Sequence, residues 1–142
     1  MTLTVMRYGV GDAALLDLQT AQLTDMTATE HARLSAFAPE GAAWSFWRGD
    51  VLVGCGGIQL VRDGVGEAWA MIAAPRRAEW GALLEMGRGA LAMFPARRIQ
   101  ATATINHPGA DRVLERLGFQ FEGVMRGYAA DGGDAKLYAR VS

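Results

Sequence analysis

The chain ends in a stretch that admits few folds. Arg98-Ile-Gln-Ala-Thr-Ala-Thr-Ile105 is rich in β-branched residues and reads as a half-buried strand. Asn106-His-Pro-Gly109 breaks it. Asn106 or His107 is expected to cap a helix that carries Pro108 in its first turn, where a missing N–H costs nothing. Asp111 then lies near the positive end of the helix dipole. Leu117-Gly-Phe119 is a stop signal: Gly118 can take the left-handed conformation past the helix end, and Phe119 can pack back on the last turn. Two further strands are expected, Phe119 to Tyr128 and Ala135 to Val141, joined by the turn Asp131-Gly-Gly-Asp134. Strand, short helix and hairpin in this order read as part of an α+β fold.

The rest of the chain supplies the other elements. Leu3 to Tyr8 reads as a strand, and Asp12 as the cap of a helix from Ala13 to about Leu23 whose leucines make a broad apolar face. Thr27-Ala-Thr-Glu30 has the form of a capping box and starts a second helix through Phe37. Strands follow at Ala42–Trp47, Val51–Val61 and Val65–Ile72, separated by the turns Arg48-Gly-Asp50 and Asp63-Gly64. Gly54, Gly56 and Gly57 inside the second of these mark a bulge or a close backbone approach. From Arg77 to Phe94 the apolar residues recur at helical spacing, and Pro95 ends the run. The order is β-α-α-β-β-β-α-β-α-β-β in a single domain spanning residues 1–142.

Composition excludes several functions. With 142 residues and 51% hydrophobic content, the chain can bury a sizeable core. A net charge of −1 argues against nucleic acid and anionic membrane surfaces as partners. One cysteine, Cys55, and two histidines, His31 and His107, give no disulfide and no metal cluster. No apolar run is long enough to span a bilayer, and the N-terminus does not read as a signal peptide, so a cytoplasmic protein is expected. Cys55, with no histidine near it in sequence, is expected to be a small buried hydrophobe.

Asp111-Arg-Val-Leu-Glu-Arg-Leu-Gly-Phe119, Phe121-Glu-Gly123, Arg126-Gly-Tyr128 and Lys136-Leu-Tyr-Ala-Arg140 together resemble the C-terminal end of the GNAT family of acyl-CoA-dependent N-acetyltransferases, with short phage-encoded members among the most similar. The resemblance implies a GNAT fold: a mixed, mostly antiparallel sheet, splayed between the strands at Val65–Ile72 and Arg98–Ile105 and flanked by helices. It implies acetyl-CoA as the donor, its pantetheine arm lying in the splay, and a primary amine on a small molecule or peptide as the acceptor.

It also implies site residues. Glu67 is the expected general base, near the start of the central strand. Ile72, Ala73, Arg76, Arg77, Gly81 and Ala82 are the expected cofactor-binding residues around the loop that meets the phosphates at a helix N-terminus, and Asn106 is expected to hold the pantetheine arm. That loop departs from the family's R/Q-x-x-G-x-G/A form. Counted from Gly81 as the first glycine, Ala78 stands at the Arg/Gln position and Leu83 at the second glycine, while Glu79 adds a negative charge that would repel a phosphate. The last helix lacks the tyrosine that often serves as general acid; Tyr128 and Tyr138 on the terminal hairpin read as packing residues. Trp47 and Trp69 could line an acceptor pocket. Two readings therefore stand: an N-acetyltransferase, or a GNAT-fold binding or structural protein without turnover, of phage or prophage kind. The terminal hairpin offers an exposed edge through which a homodimer is expected.

Overall fold

The computed structural model describes residues 3–16, 42–73, 75–105 and 109–142. The helix expected at Thr27–Phe37, most of the one expected from Ala13, and Asn106, His107 and Pro108 lie outside the described residues.

A seven-stranded mixed sheet forms the frame. Its strands in chain order are β1 (Thr4–Arg7), β2 (Ala42–Arg48), β3 (Val51–Arg62), β4 (Val65–Ile72), β5 (Arg98–Thr104), β6 (Gln120–Met125) and β7 (Ala135–Val141). Helix α1 (Glu79–Met93) crosses from β4 to β5, and α2 (Ala110–Arg116) links β5 to β6. The spatial order is β1-β2-β3-β4-β5-β7-β6. Every neighbouring pair is antiparallel except β4 and β5.

The expected strands form close to their expected bounds, with β4 and β7 matching residue for residue. Turn chemistry explains the precision: Gly49 and Gly64 take positive φ in the hairpins that begin and end β3, conformations that side chains rarely adopt. The stop after α2 also forms as expected. Gly118 has φ +91°, its N–H bonds the Glu115 carbonyl, and the Phe119 N–H bonds the Leu114 carbonyl, the paired closure of a helix C-terminus.

Helix α2 begins at Ala110 behind Gly109, whose φ of +81° suits a residue without Cβ; Asn106 and His107, expected as caps, lie outside the described residues. The cap expected at Asp12 does not form. Asp12 lies inside a short 3-10 turn, Asp12–Leu15, that follows Gly11. Its carboxylate accepts from the Gly9 N–H at 2.8 Å and from the Ser45 hydroxyl at 2.7 Å, which ties this turn to β2.

Alternation along the strands builds one core on each face. On one face α1 and α2 pack over Ile58, Ile99, Ala101, Phe119 and Tyr138 through Leu91, Phe94, Leu114 and Leu117, while the first half of α1 covers Leu3 and Val53 with Leu83, Trp80 and Met86. On the other face Cys55, Met71 and Trp69 meet Tyr8, Ala13 and Leu16. A bulge between Phe46 and Trp47 shifts the β2–β3 register and accompanies the burial of Val53 beside α1. The glycines of β3 allow close strand contact: an added Cβ at Gly57 would overlap the Ala42 carbonyl oxygen, whereas one at Gly81, on the outer face of α1, would meet nothing within 4 Å.

These two glycines give opposite expectations. Gly57→Ala should destabilise the protein by about 1–3 kcal/mol through overpacking against backbone. Gly81→Ala should stabilise it by about 0.5–1 kcal/mol through helix propensity. Urea denaturation of the two variants checks both signs.

Candidate active site

β4 and β5 diverge. They pair in parallel over three rungs only, Val65↔Arg98, Gly66↔Ile99 and Glu67↔Gln100. Beyond Glu67, β4 stays in register with β3 as far as Gly54↔Ile72, and the Ala73 N–H goes on to bond the Val53 carbonyl at 2.9 Å. β5 meanwhile follows β7 as far as Thr104↔Ala135. Each strand is held by its other neighbour, so the sheet opens as a V with Glu67 and Gln100 at the vertex. This is the splay that the resemblance implies.

The open end of the V leads into the N-terminus of α1. Arg76, Arg77 and Ala78 are exposed there. Glu79 is not: it is 6% exposed and paired with Arg48, which comes from the end of β2. The Arg48 Nε donates to Glu79 Oε2 at 2.7 Å and its Nη2 to Oε1 at 2.5 Å, a bidentate pair. Glu79 Oε1 also accepts the Arg76 N–H at 2.7 Å while the Glu79 N–H bonds the Arg76 carbonyl at 2.8 Å, the reciprocal pattern by which a glutamate closes a helix start. The hydrogen bond from Arg48 holds the Glu79 carboxyl down at about 2.

The negative charge that looked repulsive in sequence is therefore turned inward and neutralised, and the outward charges of the turn are Arg76 and Arg77. Gly81 sits within the first turn of α1, on its open side. Leu83 is 8% exposed and packs in the core with Leu3 and Val53, so its side chain does not occupy the loop. Ala82 packs against the same cluster, the Ala73 N–H serves β3, and Ile72 is half-buried at the last β3–β4 rung. Asn106 lies outside the described residues.

Glu67 is half-buried on the face that also carries Trp69 and Met71. Its Oε2 accepts from Gln100 Nε2 at 3.4 Å. Gln100 was missed in the sequence reading. The alternation Arg98-Ile-Gln100, which puts both polar side chains on the face opposite the buried Ile99, was the signal that could have found it.

Cys55 and Tyr138 are committed within the fold. Cys55 is fully buried, and burial pushes its thiol up to about 12, so it stays protonated and unreactive near neutrality. Tyr138 is buried at 3% exposure between β5 and β6, its hydroxyl bonded to Asp111; burial first, then that bond, raise it to about 12. Asp111, in the first turn of α2, also pairs with Lys136 at 2.6 Å, and that bond lowers its carboxyl below the ordinary range. Tyr128 is exposed, and Trp69 stacks edge-on against Tyr8. Among the described residues no group of histidine, cysteine, aspartate or glutamate could hold a metal ion, and no helix is long and apolar enough to cross a membrane.

The Arg48–Glu79 pair has a stated pH dependence. The folded Glu79 value lies below its ordinary 4.5, so the stabilisation is complete above that pH and is lost as pH falls toward about 2. Glu79→Gln should keep the bond from the Arg76 N–H, leave Arg48 without its counter-ion, and lower stability at pH 7. The difference between wild type and variant in urea titrations should shrink between pH 4.5 and pH 2.

Comparison with known proteins bears on the fold. No protein-family model matches the sequence, and no curated protein is similar to it in sequence. Solved structures do superpose over nearly the whole chain. Ard1 from Thermoplasma volcanium matches with TM-score 0.77 at 15% identity, covering 99% of this chain and 98% of that one. A GNAT-family acetyltransferase from Streptococcus pneumoniae matches with TM-score 0.66 at 20% identity, covering 98% of each chain. The ribosomal-protein-S18-alanine N-acetyltransferase from Escherichia coli matches with TM-score 0.70 at 18% identity, covering 99% of this chain and 94% of that one. With the strand order, the single parallel pair and its early divergence, these likenesses establish that the chain has the GNAT acetyltransferase fold.

Proposed function

We propose that the protein is an N-acetyltransferase that moves an acetyl group from acetyl-CoA to a primary amine on a small molecule or peptide. The observation that carries this reading is the V between β4 and β5, open toward an α1 N-terminus whose outward charges are Arg76 and Arg77. Spacing supports it too. From Ile72, where β4 meets the loop, back to Glu67 is about 17 Å of strand at the usual rise, a length comparable to an extended pantetheine arm. Phosphates held at one end would bring a thioester to the vertex at the other.

The residues fit such a donor. Arg76 and Arg77 would hold its phosphates together with the backbone at the start of α1, where the dipole favours anions. Gly81 leaves that surface open. When bound, acetyl-CoA would supply an acyl group activated as a thioester, its C–S bond breaking as the amide C–N bond forms and CoA leaving as a thiolate that takes up the amine's second proton. Glu67 takes a proton from the incoming ammonium so that the amine presents its lone pair. Its place at the vertex, half-buried and held by Gln100, suits that task. Tyr138 is spent on Asp111 and does not serve as the acid.

A second reading, a GNAT-fold binding protein without turnover, is favoured by the sequence of α2, Ala-Asp-Arg-Val-Leu-Glu-Arg, which contains no tyrosine. Calorimetric titration separates the two. The enzyme reading expects micromolar acetyl-CoA binding that weakens by about tenfold or more in Arg76→Ala/Arg77→Ala. It expects Glu67→Gln to cut kcat by about 10²-fold or more with little change in KM for the donor. Absence of acetyl-CoA binding at millimolar concentration would overturn it.

A further inference from the structure

Glu67 does not stand alone at the vertex. Gln100 faces it across the last β4–β5 rung and donates Nε2 to Glu67 Oε2 at 3.4 Å. Arg98, two residues earlier on the same face of β5, donates Nε to Gln100 Oε1 at 3.3 Å. The Arg98 guanidinium is clamped in turn by Glu122 of β6, Nη1 to Oε2 at 2.9 Å and Nη2 to Oε1 at 2.6 Å. β7 lies between β5 and β6. Its Ala139 is registered with both Gln100 and Gln120, and the Arg98–Glu122 pair spans it from β5 to β6.

Chemistry fixes the polarity of this chain of contacts. A guanidinium has donors only, so it can bond the oxygen of the Gln100 amide and not its nitrogen. The amide nitrogen must then face Glu67, where it donates. A flipped amide would set oxygen against carboxylate and NH2 against guanidinium, two repulsive contacts. The bidentate clamp from Glu122 fixes the plane of Arg98 and so the whole sequence. The charged members of the network are Glu67, Arg98 and Glu122; Gln59 of β3, the rung partner of Glu67 on its other side, is neutral.

We propose that Gln100, oriented by the Arg98–Glu122 ion pair, is a positioning residue that holds one Glu67 oxygen and leaves the other directed to the acceptor amine. This deepens the acetyltransferase reading and rests on it. Loss of the donor should free the Glu67 carboxylate to turn away from the acceptor, and a second carboxylate at position 100 should push it aside.

The test uses the full chain with Gln100→Leu, Gln100→Glu, Arg98→Leu and Glu67→Gln. Nitrogen-15 NMR of the Gln100 side-chain NH2, read without any need for turnover, should show a resonance that moves in Glu67→Gln and in Arg98→Leu. For acetyl transfer, kcat should fall about tenfold in Gln100→Leu and further in Gln100→Glu with the donor KM unchanged. An unchanged NH2 resonance in both partner variants, folded by thermal melting, would overturn the proposal. A kcat unchanged in Gln100→Leu, or a kcat loss matched by a rise in donor KM, would overturn the positioning role. A resonance that moves in a protein that binds no acetyl-CoA would count against both the enzyme reading and the role, while leaving the hydrogen-bonded chain itself in place.

Discussion

The rest of the molecule depends on where the β4–β5 ladder stops. Two parallel strands that begin in register would gain backbone hydrogen bonds by continuing, and these two part after three rungs. Each is committed elsewhere. β4 runs with β3 over its full length, and the ladder extends one step further through Ala73 to Val53. β5 runs with β7 over all seven of its residues. The competition is settled by these long antiparallel partners, and the product is an opening lined by strand on both sides. α1, which links the two strands, starts at the open end because it must return from the end of β4 to the start of β5 over the sheet.

The start of α1 shows how the chain reconciles a buried carboxylate with an anion-attracting surface. A helix N-terminus welcomes negative charge, and Glu79 uses that welcome internally. Its pairing with Arg48 links the β2–β3 turn to α1, across the cluster of Leu3, Phe46, Val53, Trp80 and Leu83. Because both charges are largely withdrawn from water, the pair contributes to the fold more through the cost of breaking it than through net attraction. Its electrostatic footprint outside is small, which leaves Arg76 and Arg77 to set the sign of the exposed turn. At the other end of the V the same logic is used with weaker partners: Glu67 is steadied by an amide rather than by a cation.

Much of the fold was legible because local chemistry and tertiary packing agree. Asp63-Gly64 and Leu117-Gly-Phe119 are turn and stop signals whose glycines do adopt positive φ, and the alternation along β4 separates its two faces as expected. The misreadings share a cause. Asp12 was expected to cap a helix, yet its partner is Ser45 on β2, 33 residues away. Glu79 looked repulsive because Arg48 is 31 residues distant and only the folded sheet brings it near. The candidate base is visible as a carboxylate on a central strand; its surroundings are not, because Gln100 and Arg98 meet Glu67 and Glu122 only when four strands, β4, β5, β7 and β6, are ordered side by side. Side-chain partners set by topology are what a linear reading misses.

We propose the opening between β4 and β5, with the start of α1, as a cleft for acetyl-CoA. Amide hydrogen exchange with and without saturating acetyl-CoA tests it most directly, because it reports where along the chain the ligand lies. Binding there slows exchange at residues 68–72 of β4 and 76–82 at the start of α1, with β1, β2 and the β6–β7 hairpin unchanged. Protection confined to other segments, or no change in β4 at millimolar ligand, would contradict it.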